Sequence, residues 1–391
     1  MPGFAARTDE FTESNIFTIL EYKRQVRAAR GLPVYNLSVG TPDFPPAPHI
    51  IEATKAAAAD PEMYKYALVD SPELVGAVQR WYARRYGAAL EPREIMSVAG
   101  SQEGLAHIGL TLLNPGETIL APNPGYPIFD IGPRLMGGRT AFYPLRADNG
   151  FLPDLREIGR TMPDGVRAMV VSYPMNPLCA VAPRSFYKDL VEFANRHGVW
   201  IIHDNAYSEI TYDGYVGGSF LSVDGAKDIG VEFNSLSKTY NLTGTRVSFL
   251  MGNAELLRRF SAMRSEFDYG LCRIFQRSAI AALDGPQDHV VSQRARYEAR
   301  RDALCGGMRR IGWDIPDSKG TMFVWARIPR GYNDDDSAFV ADLFDRSGVI
   351  TIPGSVFGAL GRGHVRLALT MPVPGIEEAV AAVAQSGILD Q

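Results

Sequence analysis

The stretch VEFNSLSKTYNLTGTRVSFLMG, residues 231–252, decides the fold. Its two apolar runs, 231–236 and 247–251, each read as a buried strand, because short apolar runs bounded by polar turn residues fit strands covered on both faces. Between them stand Lys238, the hydroxyls of Ser235, Ser237 and Thr239, and Arg246. A lysine on a short loop between two core strands is open to desolvation, which disfavours its ammonium form and leaves a nucleophilic amine. The hydroxyls and the guanidinium bind phosphate, serine through neutral hydrogen bonds and arginine through a charge-assisted fork. An amine beside a phosphate clamp suits pyridoxal phosphate. An S-x-S-K string taken alone fits an ordinary loop lysine equally well.

Outward from this stretch, strand-like and helix-like segments alternate from residue 95 to 251. The strands fall at 95–99, 118–121, 140–144, 167–173, 199–203, 231–236 and 247–251. That alternation predicts a mostly parallel seven-stranded sheet covered by helices, an α/β large domain. Helices are expected at 16–30, 49–58, 73–86 and 102–113, continuously over 254–285, and at 287–311. Beyond residue 312 a smaller α+β pattern follows, with strands at 322–328, 349–353 and 364–370 and helices at 337–347 and from 376. The expected organisation is an N-terminal arm, 1–45, that forms part of a small domain, a large domain over 46–285, and a C-terminal small domain over 286–391.

Ligands bind such sheets beyond the carboxyl ends of the strands, so the polar residues there are the candidates. GSQEG places Ser101 to cap a helix and Gln102 beside it, where helix-start amides suit a phosphate; a simple cap needs no ligand. PNPGYP presents Tyr126, which can cover a planar ring or a core edge. YPMNP presents Asn176, and HDNAY presents Asp204 and Tyr207. A carboxylate at a strand tip either caps the next helix or holds a protonated pyridine nitrogen. GTPDFPP begins with Gly40 in a loop whose backbone can approach a ligand, and YKYALVD supplies Tyr66.

The composition excludes other classes. A net charge of −4 with dispersed basic residues argues against nucleic acid. The three cysteines form no C-x-x-C pair, which fits a reducing cytoplasm, and the six histidines show no metal-ligand spacing. The N-terminal MPGFAARTDEFTESN lacks the apolar centre of a signal peptide, and no membrane span is expected. No G-x-G-x-x-G follows the early strands, which argues against a nucleotide-binding oxidoreductase.

Taken in order, LSVGTPDF, GSQEG, PNPGYP, SYPMNP, HDNAYSEITYDG, SLSKTYNLTGTR and HVRLAL resemble the class I/II aminotransferases of the fold type I pyridoxal phosphate enzymes, over nearly the whole chain. FDYG at 267–270 resembles aminotransferases of the LL-diaminopimelate type. The resemblance implies transfer of an amino group between an amino acid and a 2-oxo acid through a Schiff base on Lys238. It implies that Asp204 pairs with the pyridinium nitrogen, that Asn176 and Tyr207 bond the phenolic oxygen, and that Tyr126 stacks on the ring. The Ser101 and Gln102 amides, Ser235, Ser237 and Arg246 would hold the phosphate, with Tyr66 reaching the partner subunit's phosphate in a homodimer with shared sites. Gly40, Asn176 and Arg366 would meet the substrate, its carboxylate falling to Gly40 and Arg366. Arg273 would read a distal carboxylate, unless it pairs with Glu266 or Asp268. The chain departs from the family's N-P-T-G at Leu178 and Cys179, and Thr245 stands where a bulky residue is common, which leaves the substrate open. A pyridoxal phosphate lyase or decarboxylase on the same fold is the alternative.

Overall fold

The computed structural model describes residues 3–5, 8 and 15–390. The chain forms two compact units, one of residues 41–298 and 318–322, the other of residues 1–40, 299–317 and 323–391. After the helix Asn15–Ala29 comes β1 (Tyr35–Asn36). The larger unit then carries β2 (Ile95–Val98), β3 (Thr118–Asn123), β4 (Arg139–Pro144), β5 (Val166–Ser172), β6 (Trp200–Asn205), β7 (Gly230–Ser235) and β8 (Ser248–Gly252). These seven strands form one sheet in the order β2-β8-β7-β6-β5-β3-β4. The pairings β2·β8 and β7·β8 are antiparallel and the other four are parallel. The mostly parallel seven-stranded sheet is therefore as expected. Its antiparallel pairings belong to β8, the strand that turns back after the lysine segment.

Side chains alternate across a strand, so register assigns each residue to a face. One face carries Val98, Val170, Ile202, Val231, Phe233 and Leu250, which join Leu105, Phe129, Leu256 and Phe260 from the covering helices in one core cluster. At the rim of this same face, cross-strand pairing aligns Ser172 with Asp204, Asp204 with Phe233, and Ser235 with Ser248. On the opposite face His203 pairs in register with Glu232, and both are fully buried.

Three local departures have physical causes. The expected helix over 254–285 is two helices, Ala254–Arg264 and Arg273–Asp284. Between them Arg264 Nε donates to Asp268 at 2.7 Å, and Gly270, at φ +89°, lies so close to the Ala67 carbonyl that a side chain would collide with it. The strand at 199–203 extends to Asn205, so Asp204 belongs to the sheet itself. Lys238 sits in a one-turn helix, Leu236–Thr239, and not on an open loop, because Ser235 Oγ accepts from the Ser237 N–H at 3.1 Å and starts the turn.

The smaller unit contains β9 (Phe323–Arg327), β10 (Val349–Ile350), β11 (Ile352–Pro353) and β12 (His364–Ala368). The expected strand over 349–353 is split: β10 pairs in parallel with β1, while β11 pairs antiparallel with β12, which also pairs with β9.

Candidate active site

The carboxyl rim of the large sheet gathers the candidates of the larger unit other than Tyr66 and Arg273. Asp204 is 7% exposed, and its Oδ1 is buried without a hydrogen-bond partner among the described residues. Burial pushes its pKa up to about 6; the His203 charge opposes the rise and the Glu232 charge adds to it. A buried carboxylate with an open acceptor is costly unless a donor arrives. Asn176 and Tyr207 are also buried at 7% exposure, and Lys238 is half-buried. The Lys238 turn is tied down from outside, since Gln293 Nε2 donates to the Lys238 carbonyl at 2.8 Å while Gln293 Oε1 accepts from Asn241 Nδ2 at 2.7 Å.

Two hydroxyls and a guanidinium flank the lysine turn, Ser235 and Ser237 at its start and Arg246 just ahead of β8. Ser235 and Ser237 are buried, and Arg246, at φ +55°, donates to the Thr243 carbonyl at 2.9 Å. Its guanidinium packs against Gly100 so closely that no side chain fits there, and Gly100 itself lies at φ +93°. Gly100, not Ser101, is the N-cap of the helix Ser101–His107. Ser101 does not cap: it is the first helical residue, its backbone N–H donates to Ser248 Oγ at 3.0 Å, and its own Oγ is buried without a partner among the described residues. The cause is the sheet, where Ser248 opens β8 directly opposite Val98 at the end of β2. Tyr126 is held over this corner by a hydrogen bond from its hydroxyl to Gln102 Oε1 at 2.8 Å.

Tyr66 and Arg273 come together elsewhere in the same unit. Arg273 Nη2 donates to the Tyr66 carbonyl at 2.9 Å, and the Tyr66 ring meets the edge of Tyr269 at 5.2 Å. Asp268 is occupied by Arg264, and Arg273 forms no ion pair with a carboxylate among the described residues, so the alternative of a bridge to Glu266, Asp268 or another acid is not seen there. Tyr66 is 72% exposed, with Tyr64, Leu68 and Val69 exposed around it.

Within the smaller unit, Arg366 lies in β12 with Trp325 and Ile352 as register partners. Its guanidinium stands 4.0 Å from the ring centre of Phe323 and 4.9 Å from that of Phe357, and Nη2 donates to the Ser38 carbonyl at 3.0 Å. Cation–π contact with two rings fixes the plane of the fork. A side chain on Gly40 would come within 2.8 Å of the Phe323 ring, so Gly40 and Arg366 share that phenylalanine. Gly100, Ser248, Gln293 and Phe323 went unread in the sequence. Only the glycine ahead of S-Q-E-G carried a local signal, the others acting through contacts distant in the chain.

Among the described residues no helix is long and apolar enough to cross a membrane, and no group of three or more His, Cys, Asp or Glu residues could hold a metal ion.

The family model described as aminotransferase class I and II matches residues 33–383. The chain is 41% identical over 369 residues to a protein named LL-diaminopimelate aminotransferase from Moorella thermoacetica, covering 93% of this chain and 94% of that one. The structure of apo-BacF from Bacillus subtilis superposes with a TM-score of 0.94 at 31% identity, covering 98% of each chain. A probable N-succinyldiaminopimelate aminotransferase from Thermus thermophilus superposes with a TM-score of 0.88 at 33% identity, covering 95% of this chain and 100% of that one. With its seven-stranded sheet and the lysine turn between β7 and β8, the chain belongs to the class I and II aminotransferases of fold type I and is a transferase enzyme.

Proposed function

We propose that the sheet rim holds pyridoxal 5′-phosphate and that Lys238 carries it. The observation that supports this most directly is Asp204, whose buried Oδ1 lacks a partner among the described residues. A pyridinium N–H would satisfy that atom and favour the ionised carboxylate. The buried Ser101 Oγ, without a partner among the described residues, and the Arg246 guanidinium beside Gly100 fit a phosphate in the same way. When bound, the group supplies an electron sink for the pair left by a breaking Cα–H bond.

The chain's residues do the rest. Lys238 Nζ would take the proton from the substrate Cα and hold it for return, a task that demands a neutral amine close to that carbon. Asp204 holds the positive charge of the ring nitrogen, and Asn176 and Tyr207 hold the phenolic oxygen. Ser101, Gln102, Ser235, Ser237 and Arg246 anchor the phosphate, while Tyr126 covers the ring. Arg366, its fork oriented by Phe323 and Phe357, grips the substrate carboxylate together with the Gly40 backbone, which aims the Cα–H bond. We propose a cytoplasmic homodimer with shared sites, in which Tyr66 and Arg273 serve the neighbouring subunit. Two of the relatives carry diaminopimelate-type donors in their names, and Arg273, without a carboxylate partner among the described residues, supports a donor with a distal carboxylate.

The test is spectroscopic. The purified protein loaded with pyridoxal phosphate should show a visible band that an amino donor bleaches and a 2-oxo acid restores, with one glutamate formed per 2-oxoglutarate consumed. Donor loss without that stoichiometry would point to lyase or decarboxylase chemistry.

A further inference from the structure

Two ionisable groups stand behind the active-site rim, on the face of the sheet turned away from the ligand. His203 and Glu232 are register partners on β6 and β7, and each is 0% exposed. His203 Nδ1 donates to Glu232 Oε2 at 2.8 Å, since an ionised carboxylate only accepts. Glu232 also accepts from Tyr82 Oη at 2.7 Å, from Asn205 Nδ2 at 3.1 Å, from Ser219 Oγ at 2.9 Å and from the Phe220 N–H at 2.9 Å. Burial pushes the Glu232 pKa up, but these donors outweigh it and hold the carboxyl below the usual range.

Such an arrangement is expensive for the fold alone. A buried ion pair loses much of its Coulomb gain to desolvation, and apolar residues of similar volume often match or exceed it in stability. Its position relative to the chemistry gives it another use. His203 precedes Asp204 on β6, and Glu232 precedes Phe233, the register partner of Asp204, on β7. The pair therefore lies one residue behind the carboxylate, on the far side of one strand layer, in surroundings where charges are weakly screened.

Resting on the pyridoxal phosphate reading above, we propose that His203 and Glu232 are positioning residues for Asp204: the pair fixes the β6·β7 tip and presents a balanced charge that keeps Asp204 ionised for the cofactor's ring nitrogen. His203 alone would hold Asp204 ionised more strongly, and Glu232 alone would drive it toward its protonated form. Among the described residues, the groups that hydrogen-bond to the pair are uncharged. From the helix Pro72–Tyr86 it meets Tyr82, with Tyr86 farther off. From the helix Arg184–His197 it meets Tyr187, whose hydroxyl is 3.5 Å from His203 Nε2, and from the loop ahead of β7 it meets Ser219 and the Phe220 amide.

The experiment measures the dissociation constant of pyridoxal phosphate by equilibrium dialysis from about pH 5 to 8, with unfolding midpoints of the cofactor-free proteins in parallel. The ligand's own titration is common to every variant, so only differences between variants are read. His203→Gln leaves Glu232 uncompensated, and the acid limb of binding should move to higher pH by about one unit. Glu232→Gln should produce no upward shift, and the double variant should return to within about 0.3 unit of the parent, an expectation of charge balance. Tyr82→Phe removes one donor from Glu232 without touching His203; it should move the limb the same way as His203→Gln, by less, and keeps the test available if His203→Gln does not fold. Lower unfolding midpoints with an unmoved acid limb in all variants, or a double variant as displaced as His203→Gln, would overturn the proposal. Failure of the parent protein to bind pyridoxal phosphate would instead overturn the cofactor reading itself.

Discussion

The guanidinium of Arg246 occupies the space that any side chain on Gly100 would need. The two residues come from opposite ends of the sheet's sequence, Gly100 from the turn after β2 and Arg246 from the turn before β8, and they meet because β2 and β8 pair. Gly100→Ala should therefore displace Arg246 from the phosphate. Pyridoxal phosphate affinity should fall at least roughly tenfold, the loss of one charged hydrogen-bonding partner. Gly137→Ala provides the control, since Gly137 also has a positive φ, +80°, but no atom within 4 Å of an added Cβ. Both variants should lose about 1 kcal/mol of stability through the left-handed backbone, and only Gly100→Ala should lose cofactor, by titration and denaturant melts.

Asp204 links stability to pH in the cofactor-free protein. Its folded pKa of about 6 lies above the ordinary 3.8, so its contribution to stability is fully present below about pH 4 and is lost as the pH rises through 6. Asp204→Asn removes the buried charge. The cofactor-free variant should be more stable than the parent at pH 8, by up to about 3 kcal/mol, and the two should converge below pH 4. The same variant should lose transamination by orders of magnitude while still binding the phosphate end. Equal unfolding curves at pH 8 would show that the carboxylate is compensated by other groups.

Lys238 is the half-buried residue of a one-turn helix whose other three residues are buried, and the backbone of that turn is held independently by Ser235 and Gln293. Lys238→Ala should keep the circular dichroism spectrum and unfolding midpoint of the parent, and lose turnover by at least roughly a thousandfold, since it removes both carrier and proton shuttle. Turnover close to that of the parent would remove Lys238 from the chemistry.

Tyr66 and Arg273 test the shared-site reading together. Arg273→Leu should reduce kcat/KM for glutamate or aspartate by roughly a hundredfold and leave alanine nearly unchanged, as expected for one charged partner. Equal losses for both donors would make Arg273 a support of the Tyr66 carbonyl and nothing more. Mixing an inactive Tyr66 variant with an inactive Lys238 variant should restore one intact site per heterodimer. No recovery in verified heterodimers would count against sites built from two chains.

The sequence by itself determined the strands, their alternation with helices, and the polar residues at their ends, because these depend on local periodicity that one chain segment carries alone. Val231 to Leu236 reads as a buried strand from its own composition, and Lys238, Ser235, Ser237 and Arg246 are close neighbours along the chain. Tertiary structure decided what pairing brings together. Ser101 looked like a helix cap, but its N–H goes to Ser248, 147 residues away, because β8 folds back beside β2. The helical pattern across 254–285 hid a break, because the close approach of Gly270 to Ala67 leaves no mark in either segment's periodicity. HDN and VEF likewise read as strand ends with scattered polar residues. Only their register places Asp204 on the face of Phe233 and joins His203 to Glu232 on the other, since a shift of one residue would exchange the two faces.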